Sequence, residues 1–243
     1  MEIGIANKLF GTPYQAPETT VIIYNTHPAI IIASLILVFL VGYFLGSINF
    51  ATFISKKKYK DDIREHGSGN AGMTNMMRTY GTKAAALTLL GDFLKTFVAV
   101  MVGYLLVGTD GAYIAGFGAV IGHTFPIYYK FKGGKGVVTA ITMILCTNPL
   151  VGLILLIIFV LIVLATKYIS LGSVMGALLY PIILTSFGSF TEAIPALNSP
   201  AKLISCFAIV ALIVFNPSSN IKRLYEGKEN KFSFKKSKKT KED

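Results

Sequence analysis

The chain has 243 residues, of which 53% are hydrophobic and only 14% charged, and its mean hydropathy is +0.62. Soluble domains carry about 25% charged residues, so an ordinary soluble enzyme, a disordered regulator and a disulfide-rich secreted domain all fit poorly. A net charge of +11 would suit a nucleic-acid binder, but the position of the charges argues for a membrane protein and against nucleic acid.

The first segment, 1–27, holds Glu2, Lys8 and Glu18 and no long apolar run. It lacks the basic start and apolar core of a cleavable signal and reads as an extracytoplasmic amino-terminal segment. A helix crossing the roughly 30 Å hydrocarbon core needs about 20 apolar residues. Candidate spans follow at 28–50, 84–107, 112–129, 137–147, 151–166, 171–190 and 201–215. Segment 137–147 is short, and Thr147-Asn148-Pro149 closes it with a turn signal. The expected fold is all-α: a polytopic integral membrane helix bundle of about seven spans. A domain over 28–232 would precede a basic tail, 233–243. Cys146 and Cys206 lie in apolar segments and read as small hydrophobes without metal or redox spacing.

Orientation follows from the lysines and arginines. Twenty of the 23 fall in the stretch after the first span, the 130–135 loop, Lys167 and the tail, which alternate onto one side. The positive-inside rule puts that side in the cytoplasm. The amino terminus is then outside, the carboxyl terminus is cytoplasmic, and the protein is a multi-pass protein of the cell membrane.

The chemistry-bearing stretches share that face. The first runs from Asp62 through Arg64, Ser68, Asn70, Thr74 and Asn75 to Arg78, with glycines at 67, 69 and 72. Glycines let a ligand approach the backbone, successive N–H groups make anion-binding concavities, and arginine grips phosphate bidentately. A plain polar turn is the simpler alternative. The second stretch, Lys130-Phe131-Lys132-Gly133-Gly134-Lys135-Gly136, suits a compact anion. It lacks the spacing of a Walker loop, and a charged turn would also explain it. Asp92 and Lys95 are three residues apart, on one helix face within a span. They read as an intramembrane structural pair or as props for the loops. His123 precedes the second loop and is a candidate hydrogen-bonding group. No nucleophile elbow and no His-Glu-x-x-His occurs, so neither a Ser-His-Asp triad nor a metal site is expected.

These stretches carry a resemblance. From Tyr43-Phe44-Leu45-Gly46-Ser47-Ile48 to about Phe232, the chain resembles the bacterial acyl-phosphate-dependent glycerol-3-phosphate acyltransferases. The matching stretches are Asp62 to Arg78, Asp92-Phe93-Leu94-Lys95, Gly122-His123-Thr124-Phe125-Pro126 to Val137, Lys167-Tyr168-Ile169-Ser170-Leu171 and Asn220-Ile221-Lys222-Arg223-Leu224. The resemblance implies transfer of a fatty acyl group from acyl phosphate to the 1-hydroxyl of sn-glycerol 3-phosphate, the first acylation of phospholipid biosynthesis. The products would be lysophosphatidic acid and inorganic phosphate. It also implies no cofactor, membrane lipid as surroundings, and interplay with an acyl-phosphate-producing enzyme. Carried over, Ser68, Arg78 and Lys132 are the expected catalytic residues, with His123 beside them. Arg64, Asn70, Thr74, Asn75, Gly133, Gly134, Lys135, Ser170 and Asn220 are expected to bind substrate.

Three positions depart from the family. Asn49 stands where proline is usual, Thr96 follows Lys95 in place of glycine, and Pro217 replaces a histidine three residues before Asn220. A small transporter or channel for an anionic solute is the competing reading, since an Asp–Lys pair within a span serves such proteins too. Transporters tend to show repeated halves, and none repeats here. A membrane scaffold acting through its basic tail would leave the ordered loops unexplained.

Overall fold

The computed structural model describes residues 13–15, 22–24, 28–191, 199–215 and 231. Two three-residue strands, β1 (Pro13–Gln15) and β2 (Ile22–Tyr24), pair antiparallel with Pro13 opposite Tyr24. The rest is helical.

Helix α1 (Pro28–Gly46) opens on proline, whose fixed φ suits a first helical position. It is apolar throughout and buries only Val38, Gly42 and Gly46. Its exposed side carries Ile32, Ile36 and Leu37, the surface a lipid-facing helix presents. Ser47 and Ile48 break the helix. Asn49 starts α2 (Phe50–Tyr59) by accepting from the Thr52 N–H at 2.9 Å. This cap is one use of the asparagine that stands in the place of the usual proline. Lys56, Lys57 and Lys58 fill the last turn of α2, where positive charge complements the helix dipole.

Helix α3 (Met73–Tyr80) and α4 (Thr82–Val107) are separated by Gly81 at φ 89°, and α4 from α5 (Thr109–Thr124) by Gly108 at φ 77°. The sequence places a span at 112–129. The structure begins α5 three residues earlier and ends it at Thr124. Pro126 lacks an N–H and restricts Phe125, so 127–129 becomes a separate 3₁₀ turn. Helices α6 (Val137–Thr147), α7 (Pro149–Thr166), α8 (Ile169–Thr191) and α9 (Pro200–Phe215) complete the bundle. The expected turn at 147–149 is present. Asn148 caps α7 by accepting from the Val151 N–H at 3.2 Å, with Pro149 in the first turn.

Helix α5 sits at the centre, and its small residues explain why. A Cβ on Gly42 or Gly46 of α1 would overlap the carbonyl oxygens of Ala115 and Ala119, and one on Gly118 or Gly122 of α5 would overlap those of Phe39 and Tyr43. The two backbones therefore touch along a small-residue seam. In lipid such seams drive helix association, because apolar side chains gain nothing by leaving hydrocarbon for one another. Val100, Tyr113, Val120, Met143 and Ile209 pack a core around α5, and Ile144, Val151, Leu155, Tyr180 and Leu184 form a second. A third, of Ala51, Ile63, Ala71, Met76 and Ala84, lies beneath the first loop.

Four stretches are long and apolar enough to cross a membrane: Pro28–Tyr59, Thr82–Val107, Pro149–Thr166 and Ile169–Ser186. The apolar helices Val137–Thr147 and Pro200–Phe215 are shorter. At 1.5 Å per residue, α6 spans only about 16 Å, half a hydrocarbon core.

Candidate active site

Three connections build the site: the 60–72 loop, the 125–136 loop and the 167–168 turn. In the first, Asp62 caps the 3₁₀ turn Ile63–Glu65 by accepting from the Arg64 N–H at 3.1 Å. Its carboxylate also clasps the Arg64 side chain, Nη2 to Oδ2 at 2.6 Å and Nε to Oδ1 at 2.9 Å. The guanidinium holds the Asp62 carboxyl well below the usual carboxylate range, and the carboxylate raises Arg64 in turn. Arg64 Nη1 donates to the Tyr129 carbonyl at 2.9 Å. Arg64 thus fastens the first loop to the second.

Asn75 organises the interior of the first loop. Its Oδ1 accepts from the Ser68 N–H at 3.1 Å, and its Nδ2 donates to the carbonyls of Ile63 at 3.0 Å and His66 at 2.9 Å. Asn49 Nδ2 donates to the Ala71 carbonyl at 3.1 Å, a second use of that asparagine. His66 Nε2 lies 2.7 Å from the Asp61 carboxylate, to which Tyr80 also donates at 2.9 Å. Burial and the Asp61 charge push the Tyr80 phenol up to about 12.

In the second loop, Lys130 and Phe131 both take left-handed φ, 56° and 57°. The Gly134 N–H donates to the His123 carbonyl at 3.0 Å. Lys135 Nζ approaches Ser170 Oγ at 3.5 Å, which joins this loop to the start of α8.

A cavity of about 800 Å³ opens among these connections. Its polar lining includes Ser68, Asn70, Thr74, Asn75, Arg78, His123, Lys135 and Ser170. Its apolar lining includes Phe93 of α4, Ile141 of α6, Leu156, Phe159, Val160 and Leu164 of α7 and Tyr180 of α8. The Oδ1 of Asn70 is buried without a hydrogen-bond partner among the described residues. An amide acceptor in that state suits a donor brought by a ligand.

Four of the expected site residues stand apart from this lining. Arg64 is engaged by Asp62 and Tyr129. Lys132 is exposed, and its carbonyl lies 3.5 Å from Arg64 Nη1. Gly133 and Gly134 pack beneath His123, where a Cβ on either would overlap the His123 carbonyl oxygen or its ring. Asn220 lies outside the described residues, as does Pro217. Conversely, Lys167, Thr142 and Ser173 line the cavity although the sequence reading gave them no site role. The motif around Lys167 was the available signal, since Ser170 follows it by three residues.

At the cavity wall, Asp92 and His123, which line it, form one buried cluster with Lys95. Lys95 Nζ lies 2.8 Å from Asp92 Oδ1, 2.8 Å from the Ile48 carbonyl oxygen and 2.9 Å from His123 Nδ1. The expected Asp–Lys pair is present, and the histidine is its third member. An unpaired charge buried there would cost several kcal/mol, so the cluster holds together as a unit. Among the described residues no group of His, Cys, Asp and Glu is placed to hold a metal ion.

The fold and cavity define a helical integral membrane protein with a cavity lined by anion-suited polar groups and by apolar side chains. The family model for glycerol-3-phosphate acyltransferase matches residues 36–227. Curated relatives include the glycerol-3-phosphate acyltransferases of Thermoanaerobacter pseudethanolicus, 40% identical over 82% of this chain and 96% of its own, and of Clostridioides difficile, 40% identical over 84% and 98%. The crystal structure of PlsY (YgiH), an integral membrane glycerol 3-phosphate acyltransferase, in its glycerol 3-phosphate form is similar with TM-score 0.73 and 33% identity, covering 82% of this chain and 96% of that one. Its lysophosphatidic acid form gives TM-score 0.71. The chain belongs to the glycerol-3-phosphate acyltransferase family and is an acyltransferase, which decides against the transporter reading.

Proposed function

We propose that the protein transfers a fatty acyl group from acyl phosphate to the 1-hydroxyl of sn-glycerol 3-phosphate, releasing lysophosphatidic acid and inorganic phosphate. The observation that carries this is the mixed lining of the cavity, which sets Arg78, Lys135 and short polar groups beside apolar side chains of α4, α6 and α7. A phosphate with hydroxyls suits the polar groups, and a fatty chain suits the apolar ones. The Asn70 Oδ1, without a partner among the described residues, offers an acceptor for a hydroxyl of the glycerol moiety.

Acyl phosphate is a mixed anhydride, so its carbonyl needs little activation. The 1-hydroxyl oxygen bonds to the carbonyl carbon, the bond from that carbon to the phosphate oxygen breaks, and phosphate leaves with the electron pair. A phosphate oxygen of either substrate takes the hydroxyl proton. Arg78 and Lys135 stabilise charge on the phosphates, and Ser68 and Thr74 add hydrogen bonds. Holding the hydroxyl about 3–3.5 Å from the carbonyl supplies much of the acceleration. Gly133 and Gly134 belong to this reading as supports of the site, Asn220 as a substrate-binding residue carried over from the resemblance, and Lys132 raises the local positive potential that gathers anionic substrate.

The same reading has the amino terminus outside and the polar lining facing the cytoplasm. The lysine and arginine asymmetry supports it, with α1 and α4 to α9 taken as the seven spans.

The test uses purified protein in lipid nanodiscs with palmitoyl phosphate and sn-glycerol 3-phosphate. Phosphate and lysophosphatidic acid should appear in equal amounts, and not with acyl-CoA as donor. Arg78→Ala should lose about 100-fold or more in kcat/KM. Turnover with acyl-CoA, or phosphate release without the lipid, would overturn the proposal.

A further inference from the structure

The neighbours of Lys95 determine what His123 can do. The Lys95 ammonium carries only donors and no lone pair. It donates to the Ile48 carbonyl, lies at hydrogen-bond distance from His123 Nδ1, and pairs its charge with Asp92 Oδ1 at 2.8 Å. The carbonyl and Nδ1 must therefore both accept. A proton on Nδ1 would face the ammonium at 2.9 Å, donor against donor. Asp92 Oδ1, the other group near Nδ1, is farther away at 3.4 Å. A neutral ring carries one proton, so the network assigns it to Nε2.

The Nε2 edge is turned the other way. His123 lines the cavity, and Nε2 has no hydrogen bond to any described residue. Gly134 lies against this edge, and a Cβ there would overlap Nε2. The Gly134 N–H donates to the carbonyl of His123 itself at 3.0 Å, so the second loop is fixed to the residue whose ring edge it packs beside without a side chain of its own.

We propose that His123 is a fixed hydrogen-bond donor, through Nε2–H, to a substrate oxygen that bears negative charge, and that Lys95 and Asp92 are positioning residues that set its tautomer. The inference rests on the acyl-transfer reading of the cavity. It also removes His123 as a general base, because the lone pair of the neutral ring is on Nδ1 and is taken by Lys95. An anionic or developing oxyanion oxygen is an acceptor only, so a donor locked in place in advance matches it and need not reorganise during the reaction.

The first test reads the tautomer without substrate. The chain has three histidines, His27, His66 and His123. Ring ¹⁵N-labelled protein in nanodiscs, carrying His27→Gln and His66→Gln, gives the signal of His123 alone. The expected spectrum shows protonated Nε2 and bare Nδ1, and Lys95→Met should move the proton to Nδ1, toward Asp92. A proton on Nδ1 in the presence of Lys95 overturns the inference whether or not the protein transfers acyl groups, so its failure is separable from failure of the acyl-transfer reading.

The second test reads activity in otherwise wild-type protein. The side-chain amide of Gln sets an N–H near the position of Nε2 but supplies no basic nitrogen. His123→Gln should stay within about tenfold of wild type, and His123→Leu should lose about 10²–10³-fold in kcat/KM. A raised KM in the leucine variant puts the acceptor on phosphate and a lowered kcat puts it on the acyl carbonyl; either supports the donor role. Equal losses in both variants, or undiminished turnover with leucine, overturn it.

Discussion

Asn75 sustains the shape of the first loop from the inside. Its side chain is 2% exposed and makes three hydrogen bonds, to the Ser68 N–H and to the Ile63 and His66 carbonyls. Each is worth about 1 kcal/mol net. Asn75→Ala therefore removes about 3 kcal/mol from the loop conformation while leaving the helices untouched. If all of that free energy holds the loop in its binding-competent form, the competent fraction falls by about 100-fold, and kcat/KM falls with it. The assay is phosphate release across a range of glycerol 3-phosphate concentrations, with thermal unfolding in parallel. A large loss in kcat/KM with a small change in unfolding is expected. Hydrogen exchange should show faster exchange of the Ser68 amide, whose bond to Asn75 Oδ1 is lost. Wild-type kcat/KM together with unchanged exchange at Ser68 would refute the reasoning.

Other consequences are equally open to measurement. Gly46→Leu drives a side chain into the Ala119 carbonyl, and should cost about 1–3 kcal/mol or more in unfolding free energy, read as a lowered Tm in detergent. Asn49→Ala removes the α2 cap and the tether to Ala71, and should cost about 1–2 kcal/mol, with activity falling more than stability because the first loop is released. Asp62 has a folded-state pKa depressed by Arg64, so its contribution is fully present above its unfolded pKa of about 3.9 and is lost as pH falls through the lower folded value. Below about pH 4 the Tm of Asp62→Asn should decline less steeply than that of wild type, and parallel declines would count against the clasp.

Much of the fold was legible because apolar runs and breakers mark it. The helix 137–147 and the turn after it stand where Thr147-Asn148-Pro149 predicts, and Pro28 and Asn148 open their helices by known local chemistry. Helices α2 and α3 were not legible, since their polar sequences carry no span-length apolar run and their order comes from the core beneath them, Ile63 and Met76. The site was legible as two loops on one face. Which lysine reaches the cavity was not: Lys132 and Lys135 are alike in sequence, but Lys132 follows two left-handed residues and is exposed, whereas Lys135 reaches Ser170. The Asp92–Lys95 pair could be read from its spacing of three, but not its link to His123, because 28 residues separate Lys95 from it.

The Arg64 clasp has a consequence beyond holding shape. One guanidinium binds its own loop through Asp62 and the other loop through Tyr129, so the two loops share a single cost of being ordered. Where binding at one loop tightens both, a second ligand would meet an ordering cost already borne, and that coupling would be read as a lower KM for one substrate when the other is saturating.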